Sequence, residues 1–173
     1  MGTVALQFEP GEGILGWRLS SPAVGETDGL PQAAPPEGRA PAGARHPVGV
    51  TQIDHLVVLT PELDRTTDAL GQLGVERRRV REVETDDGPL QQGFFRLGEV
   101  LLEVVEHPRV EDGPARFWGI TFAVEDLDAA ARMLGDRLGS IRDAVQTGRR
   151  IATVRHEAEL GLPVALISAK RRP

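Results

Sequence analysis

Cysteine is absent from the 173 residues, which rules out disulfides, zinc–thiolate sites and thiol nucleophiles. Tyrosine is absent too, and aromatic residues make up only 4%, so a pocket walled by stacked rings is not expected. No apolar run approaches the ~18 residues needed to cross a bilayer. The N-terminus shows no basic stretch followed by an apolar core, so no secretory signal is read and a cytoplasmic protein is expected. An excess of positive charge is also missing. Lys and Arg number 20 against 26 Asp and Glu, a formal net charge of −6, which argues against a nucleic-acid partner. What remains is a globular balance, 40% hydrophobic and 27% charged, long enough for one compact domain or two small modules sharing a core.

The segment Ile53–Asp64, IDHLVVLTPELD, reads as a strand handing over to a helix. Leu56–Leu59 is an apolar run rich in β-branched valine, suited to a strand buried on both faces. Thr60 offers an N-cap hydroxyl, Pro61 fits the first helical position, and Glu62 and Asp64 place negative charge in the first turn. The spacing predicts a helix over Glu62–Leu73, stopped at Gly74. Strands are predicted over Val75–Val83, Leu90–Leu97 and Glu99–Glu106, with a turn at Asp87-Gly88. The order is β-α-β-β-β. His55 is the side chain of the first strand with obvious chemistry.

The same order recurs about 64 residues later. FWGITFAV at Phe117–Val124 is a strand, DLDAAARMLGDRLG at Asp126–Gly139 a helix. Three strands follow, over Ser140–Gln146, Arg149–His156 and Leu162–Ser168. Each unit makes an incomplete, curved sheet, and two such units side by side can enclose one concave cup, a natural small-molecule pocket.

Ahead of the repeat, residues 1–20 read as an N-terminal β-hairpin around Pro10–Gly13, with Val4, Leu6 and Phe8 alternating. Residues 21–49 carry prolines at 22, 31, 35, 36, 41 and 47 and read as an extended linker with no function of its own. The first module then spans 50–108 and the second 109–173, with 50–169 forming one domain. The fold class is α+β: two tandem β-α-β-β-β modules forming a curved mixed-sheet cup.

The segments IDHLVVLTPELD, VLLEVVEHP, FWGITFAVEDLD and LPVALIS, in this order and spacing, resemble the vicinal oxygen chelate superfamily of glyoxalases, bleomycin resistance proteins and extradiol dioxygenases. The resemblance covers about Thr51–Ser168 and is nearest to the glyoxalase-like group. It implies a divalent metal (zinc, nickel, manganese or iron) in the cup, held from the first and last strand of each module. Carried over, the first module supplies His55 and Glu103, 48 residues apart. The second places Gly119 and Leu166 at the corresponding positions, 47 residues apart, where neither can ligate. One imidazole and one carboxylate make a half-site, whereas a catalytic metal usually takes about three protein ligands. Gln92 or His156 would have to complete it. Without a metal, His55 and Glu103 are expected to face each other as a hydrogen-bonded pair able to act as a general base, or to remain as a silent polar couple.

Four further residues are candidates for ligand contact. Trp118 sits beside Gly119, which leaves room against the ring. Arg150 would recognise a carboxylate or phosphate if its strand turns it inward. Of Phe94 and Phe95 one faces the helix layer and the other the cup, and Phe95 is taken as the cup residue. Gln92 lies on the third strand. The function expected is a glyoxalase-like cup that binds a small molecule over a degenerate metal site. The rivals are a metal-dependent lyase, isomerase or dioxygenase with an altered ligand set, and a non-catalytic interaction module. A homodimer is compatible with this reading, and neither a nucleic-acid nor a membrane partner is expected.

Overall fold

The computed structural model describes residues 13–18, 27–32, 45–86 and 88–170. One mixed sheet of eight strands organises the chain, in the order β2-β3-β4-β1-β5-β8-β7-β6. The strands are β1 (Val50–Thr60), β2 (Arg77–Thr85), β3 (Gly88–Leu97), β4 (Val100–Glu106), β5 (Arg116–Val124), β6 (Arg142–Asp143), β7 (Arg150–Thr153) and β8 (Val164–Ser168). The helices are α1 (Leu63–Gln72) and α2 (Leu127–Leu134). Each module is therefore β-α-β-β-β. Within each, the first strand pairs in parallel with the last, β1 with β4 and β5 with β8. The modules join where β1 runs antiparallel to β5, so the strand order reads the same from both edges. Two core clusters cover the helix side. The first gathers Val58, Leu63, Leu70, Phe95 and Leu102, the second Val124, Leu127, Ala130 and Leu166.

The two helix starts are built differently. Asp126 is the N-cap of α2, and its carboxylate accepts from the Ala129 N–H at 2.9 Å. Helix α1 begins two residues later than Pro61 suggested, with Glu62 at the N-cap position making no side-chain cap bond. The Thr60 hydroxyl instead meets the Glu62 N–H at 3.1 Å and the Thr66 hydroxyl at 2.7 Å. The Leu63 N–H donates to the carboxylate of Glu106, on β4, at 2.6 Å. A residue 43 positions away thus satisfies an orphan donor of the helix.

The segment N-terminal to the modules departs from the expectation of a free linker. Thr27–Leu30 docks on the first module. Leu30 is fully buried in the first core cluster with Trp17. Trp17 packs edge-on against Phe117, ring centroids 5.5 Å apart. Asp28 is gripped by Arg65 at 2.9 Å and by the Thr66 hydroxyl at 2.5 Å, and its carbonyl accepts from the Ala115 N–H. The prolines do forbid a ladder here. They do not forbid a leucine and a tryptophan from completing a core that the module leaves open. The hairpin expected over residues 1–20 lies mostly outside the described residues; Trp17 makes an isolated parallel bridge to Gln32.

Candidate ligand-binding cup

The open side of the curved sheet holds a cavity of roughly 530 Å³ that draws on both modules. Its apolar wall includes Val57, Leu59, Val105 and Ile120, and its polar groups include His55, Gln92, Glu103 and Thr121. The size falls in the usual range for small-molecule sites, about 300–1,000 Å³.

Its floor is shaped by a bulge. In the β1–β5 pairing, Ile53 faces Phe122 and His55 faces Thr121, so Asp54 is the extra residue. A bulge suspends the alternation of faces and re-aims a side chain. Asp54 accordingly sits beside His55, with Oδ2 3.0 Å from Nδ1 of the imidazole. Its other oxygen pairs with Nη1 of Arg149 at 2.7 Å, both side chains being at least nine-tenths buried. Arg149 is anchored in turn: Nε donates to the Ser168 carbonyl at 2.7 Å and Nη1 to the Gln146 side chain. Burial works against ionisation of Asp54. The hydrogen bonds from His55 and Arg149, with their charges, outweigh it and bring its pKa down to about 2. A carboxylate at Nδ1 selects the tautomer that donates from Nδ1 and leaves Nε2 as the acceptor nitrogen. That is the orientation a general base requires.

Glu103 lies on β4 directly beside Val57 of β1. Its Oε1 accepts from Gln92 Nε2 at 2.6 Å. Burial pushes its carboxyl up from the ordinary range, only partly offset by the positive charge of His55 and Arg81. His55 and Glu103 therefore share the cup as expected, but each is held by a different neighbour rather than by the other.

Solved structures were compared with this architecture. Methylmalonyl-CoA epimerase from Mycobacterium tuberculosis superposes with a TM-score of 0.57 at 18% identity, over 73% of this chain and 93% of the epimerase. The Streptomyces coelicolor methylmalonyl-CoA epimerase, in complex with 2-nitronate-propionyl-CoA, gives 0.57 at 21% identity over 72% and 99%. A hypothetical protein of Bacillus halodurans C-125 gives 0.56 at 13% identity over 70% and 96%. The chain has the vicinal oxygen chelate fold. No protein-family model matches the sequence, and no curated protein matches it either.

The vicinal oxygen chelate fold fixes which positions face one another, and the register corrects one expectation. The N-caps Glu62 and Asp126 show that the modules are offset by 64 residues. That offset carries His55 onto Gly119 and Val57 onto Thr121. Val57 pairs with Glu103, and Thr121 pairs with Ala165. The counterpart of Glu103 is thus Ala165, which lines the cup. Leu166 points the other way and belongs to the second core cluster. At Gly119 a Cβ would lie 2.8 Å from the Pro163 carbonyl oxygen, so the backbone there is closed to a ligating side chain.

The donor set does not fit the divalent metal that the resemblance implies. His55 can offer only Nε2, its Nδ1 being bonded to Asp54, and Glu103 is a carboxyl raised by burial and already bonded to Gln92. The two remaining positions are glycine and alanine. Among the described residues no group of three His, Asp or Glu side chains could hold a metal ion. His156 sits exposed in a 3-10 turn and does not line the cup, so it cannot complete the half-site.

Of the other expected contact residues, Trp118 and Gln92 do line the cup. Trp118 keeps 47% of its surface exposed. Phe95 is fully buried in the first core cluster; Phe94 shares a face with Glu103, its partner across β3 and β4. Arg150 turns outward to Asp128 of α2 at 2.6 Å. The buried arginine of that pair is Arg149, which pairs with Asp54 and does not line the cup. The sequence reading also missed Asp54, and it missed Arg109, Arg116, Arg142 and His107 around the cup. Asp54 was hidden by a bulge. The others come from strand ends and the connection between modules, where no periodicity assigns a face.

Proposed function

We propose that this protein binds a small molecule in the cup between its two modules, and that it does so without a bound metal ion. One observation carries the reading. The cup is open and of ligand size, while the second-module counterparts of His55 and Glu103 are Gly119 and Ala165. The cavity has been kept and the coordination sphere has not. A second reading, proton transfer on that ligand, is favoured by the Asp54–His55 bond. It would make His55 the base, oriented by Asp54, and Glu103 the acid.

The test combines metal analysis with thermal unfolding. Protein purified without an affinity tag is expected to hold no stoichiometric zinc, nickel, manganese or iron, and reloading with each is expected to leave the melting temperature unchanged. A screen of small organic molecules is expected to yield ligands that raise it, since a ligand at about 100 times its Kd adds roughly 2.7 kcal/mol. The rise should vanish in Ala165→Phe, which fills the cup. Stoichiometric metal lost in both His55→Ala and Glu103→Ala would overturn the metal-free reading. Ligands that stabilise Ala165→Phe equally would overturn the cup as their site.

A further inference from the structure

We propose that the ligand of the cup is an organic anion, its carboxylate, phosphate or sulfonate held between Arg116 and Arg142 and its apolar body lying on Trp118. The inference rests on the cup being the binding site and adds the chemical class of what enters it.

The first support is charge placement. The chain as a whole is acidic, with a net charge of −6. Yet three arginines, at positions 109, 116 and 142, line the cavity against one carboxyl group, Glu103. The Oε1 of that group already accepts from Gln92. A concave, cation-lined surface concentrates field and attracts anions, even on a negative protein.

The second support is that two of these arginines lack an internal use. Arg149, Arg150, Arg65 and Arg77 are each paired with an aspartate, at positions 54, 128, 28 and 64. Among the described residues no hydrogen bond or ion pair engages the side chain of Arg116 or Arg142. Guanidinium groups match carboxylate and phosphate oxygens bidentately.

The third support is topology. Arg116 opens β5 at the centre of the sheet, whereas Arg142 lies on β6 at its edge, three strands away. Both still line one cavity because the sheet curls. Trp118 lines the same cavity, a half-exposed indole in a chain with few aromatic residues. A large ring left half in water at a cavity wall offers an apolar platform.

The probes are two dyes with the same aromatic body. 8-Anilinonaphthalene-1-sulfonate carries an anion, and N-phenyl-1-naphthylamine does not. Binding is read by dye fluorescence in wild type, in Arg116→Gln/Arg142→Gln and in Ala165→Phe, with circular dichroism verifying the fold of each. The sulfonate is expected to bind wild type about tenfold more tightly than the neutral dye and to weaken as salt rises. The double variant should lose about tenfold for the sulfonate and nothing for the neutral dye. Ala165→Phe should bind neither. Equal affinity of the two dyes for wild type, or sulfonate binding unchanged in the double variant, would overturn the anion assignment while leaving the cup reading intact. Dye binding that survives in Ala165→Phe would also overturn it, because the dyes would then sit elsewhere. Failure of both dyes to bind wild type would sink the cup reading and this inference together.

Discussion

Replacing Asp54 with asparagine tests the most consequential contact in the protein. The substitution keeps the shape of the side chain and removes its charge. Arg149 would then be left with only 5% of its surface exposed, its guanidinium held by the Ser168 carbonyl and the Gln146 amide alone. Its Nη2 has no partner among the described residues even now. Removing one member of a buried ion pair typically costs about 3–5 kcal/mol, because the other charge stays behind undischarged. For a chain of this size each kcal/mol moves the melting temperature by roughly 2–4 °C, so Asp54→Asn should lower it by roughly 6–20 °C at neutral pH. The acid limb adds a second signature. Asp54 is depressed from 3.8 to about 2. A depressed carboxylate contributes stability that is complete above the unfolded value and is lost as pH falls through the folded one. Slightly under two pKa units corresponds to roughly 2–3 kcal/mol. The gap between wild type and Asp54→Asn should therefore be constant from neutral pH to about 4–5 and narrow toward 2. Calorimetry or chemical denaturation at three pH values measures both effects. A melting temperature within about 3 °C of wild type at pH 7, with no narrowing in acid, would refute the claim that the pair is buried and ionised.

Glu103→Gln should behave in the opposite sense. A carboxyl raised by burial destabilises the fold as pH climbs from the unfolded value through the folded one, so the neutral isostere should raise the melting temperature at pH 8 and have no effect near pH 4; a drop at pH 8 would contradict the assignment. Gly119→Ala should destabilise by about 1–3 kcal/mol in urea unfolding, since its Cβ would press on the Pro163 carbonyl at 2.8 Å. Asp28→Ala removes the grip of Arg65 and Thr66 on the N-terminal segment. It should cost about 1.5–3 kcal/mol and make the chain cleavable by trypsin at Arg18 at concentrations that spare wild type.

Much of this architecture was legible in the sequence. Strand, helix and strand order, the duplication and its offset followed from capping residues and periodicity, which are local signals. The resemblance pointed to His55 and Glu103, the neighbouring glycine to Trp118 and the third strand to Gln92, and all four line the cup. The errors have a common physical source. Alternation assigns a face only relative to a fixed phase, and β1 and β5 lose phase at several bulges. Asp54 consequently bonds the cup-lining His55 beside it, against a strict period of two. At the start of β7, just after the turn at Gly148, whose φ is +74°, Arg149 is buried and Arg150 is exposed. Leu166 was misassigned by one residue because only strand pairing, not spacing, identifies Ala165 as the counterpart of Glu103. The docking of Leu30 had no local signal, because it depends on an opening in a core assembled from distant strands.

The contrast between the two helix starts has a consequence for how the chain folds. Helix α2 carries its cap next door, in Asp126, so its first turn can form before any tertiary contact exists. Helix α1 obtains its cap from Glu106 across 43 residues. That bond exists only once β4 has docked beside β1, after two intervening strands have been laid down. Isolated helices this short are marginal in water, and a distant contact must first overcome the entropy of closing its loop. The two halves, alike in shape, thus differ in autonomy. The second can begin from its helix, while in the first the helix becomes firm only when the sheet beneath it is complete, so its formation reports the assembly of the whole module.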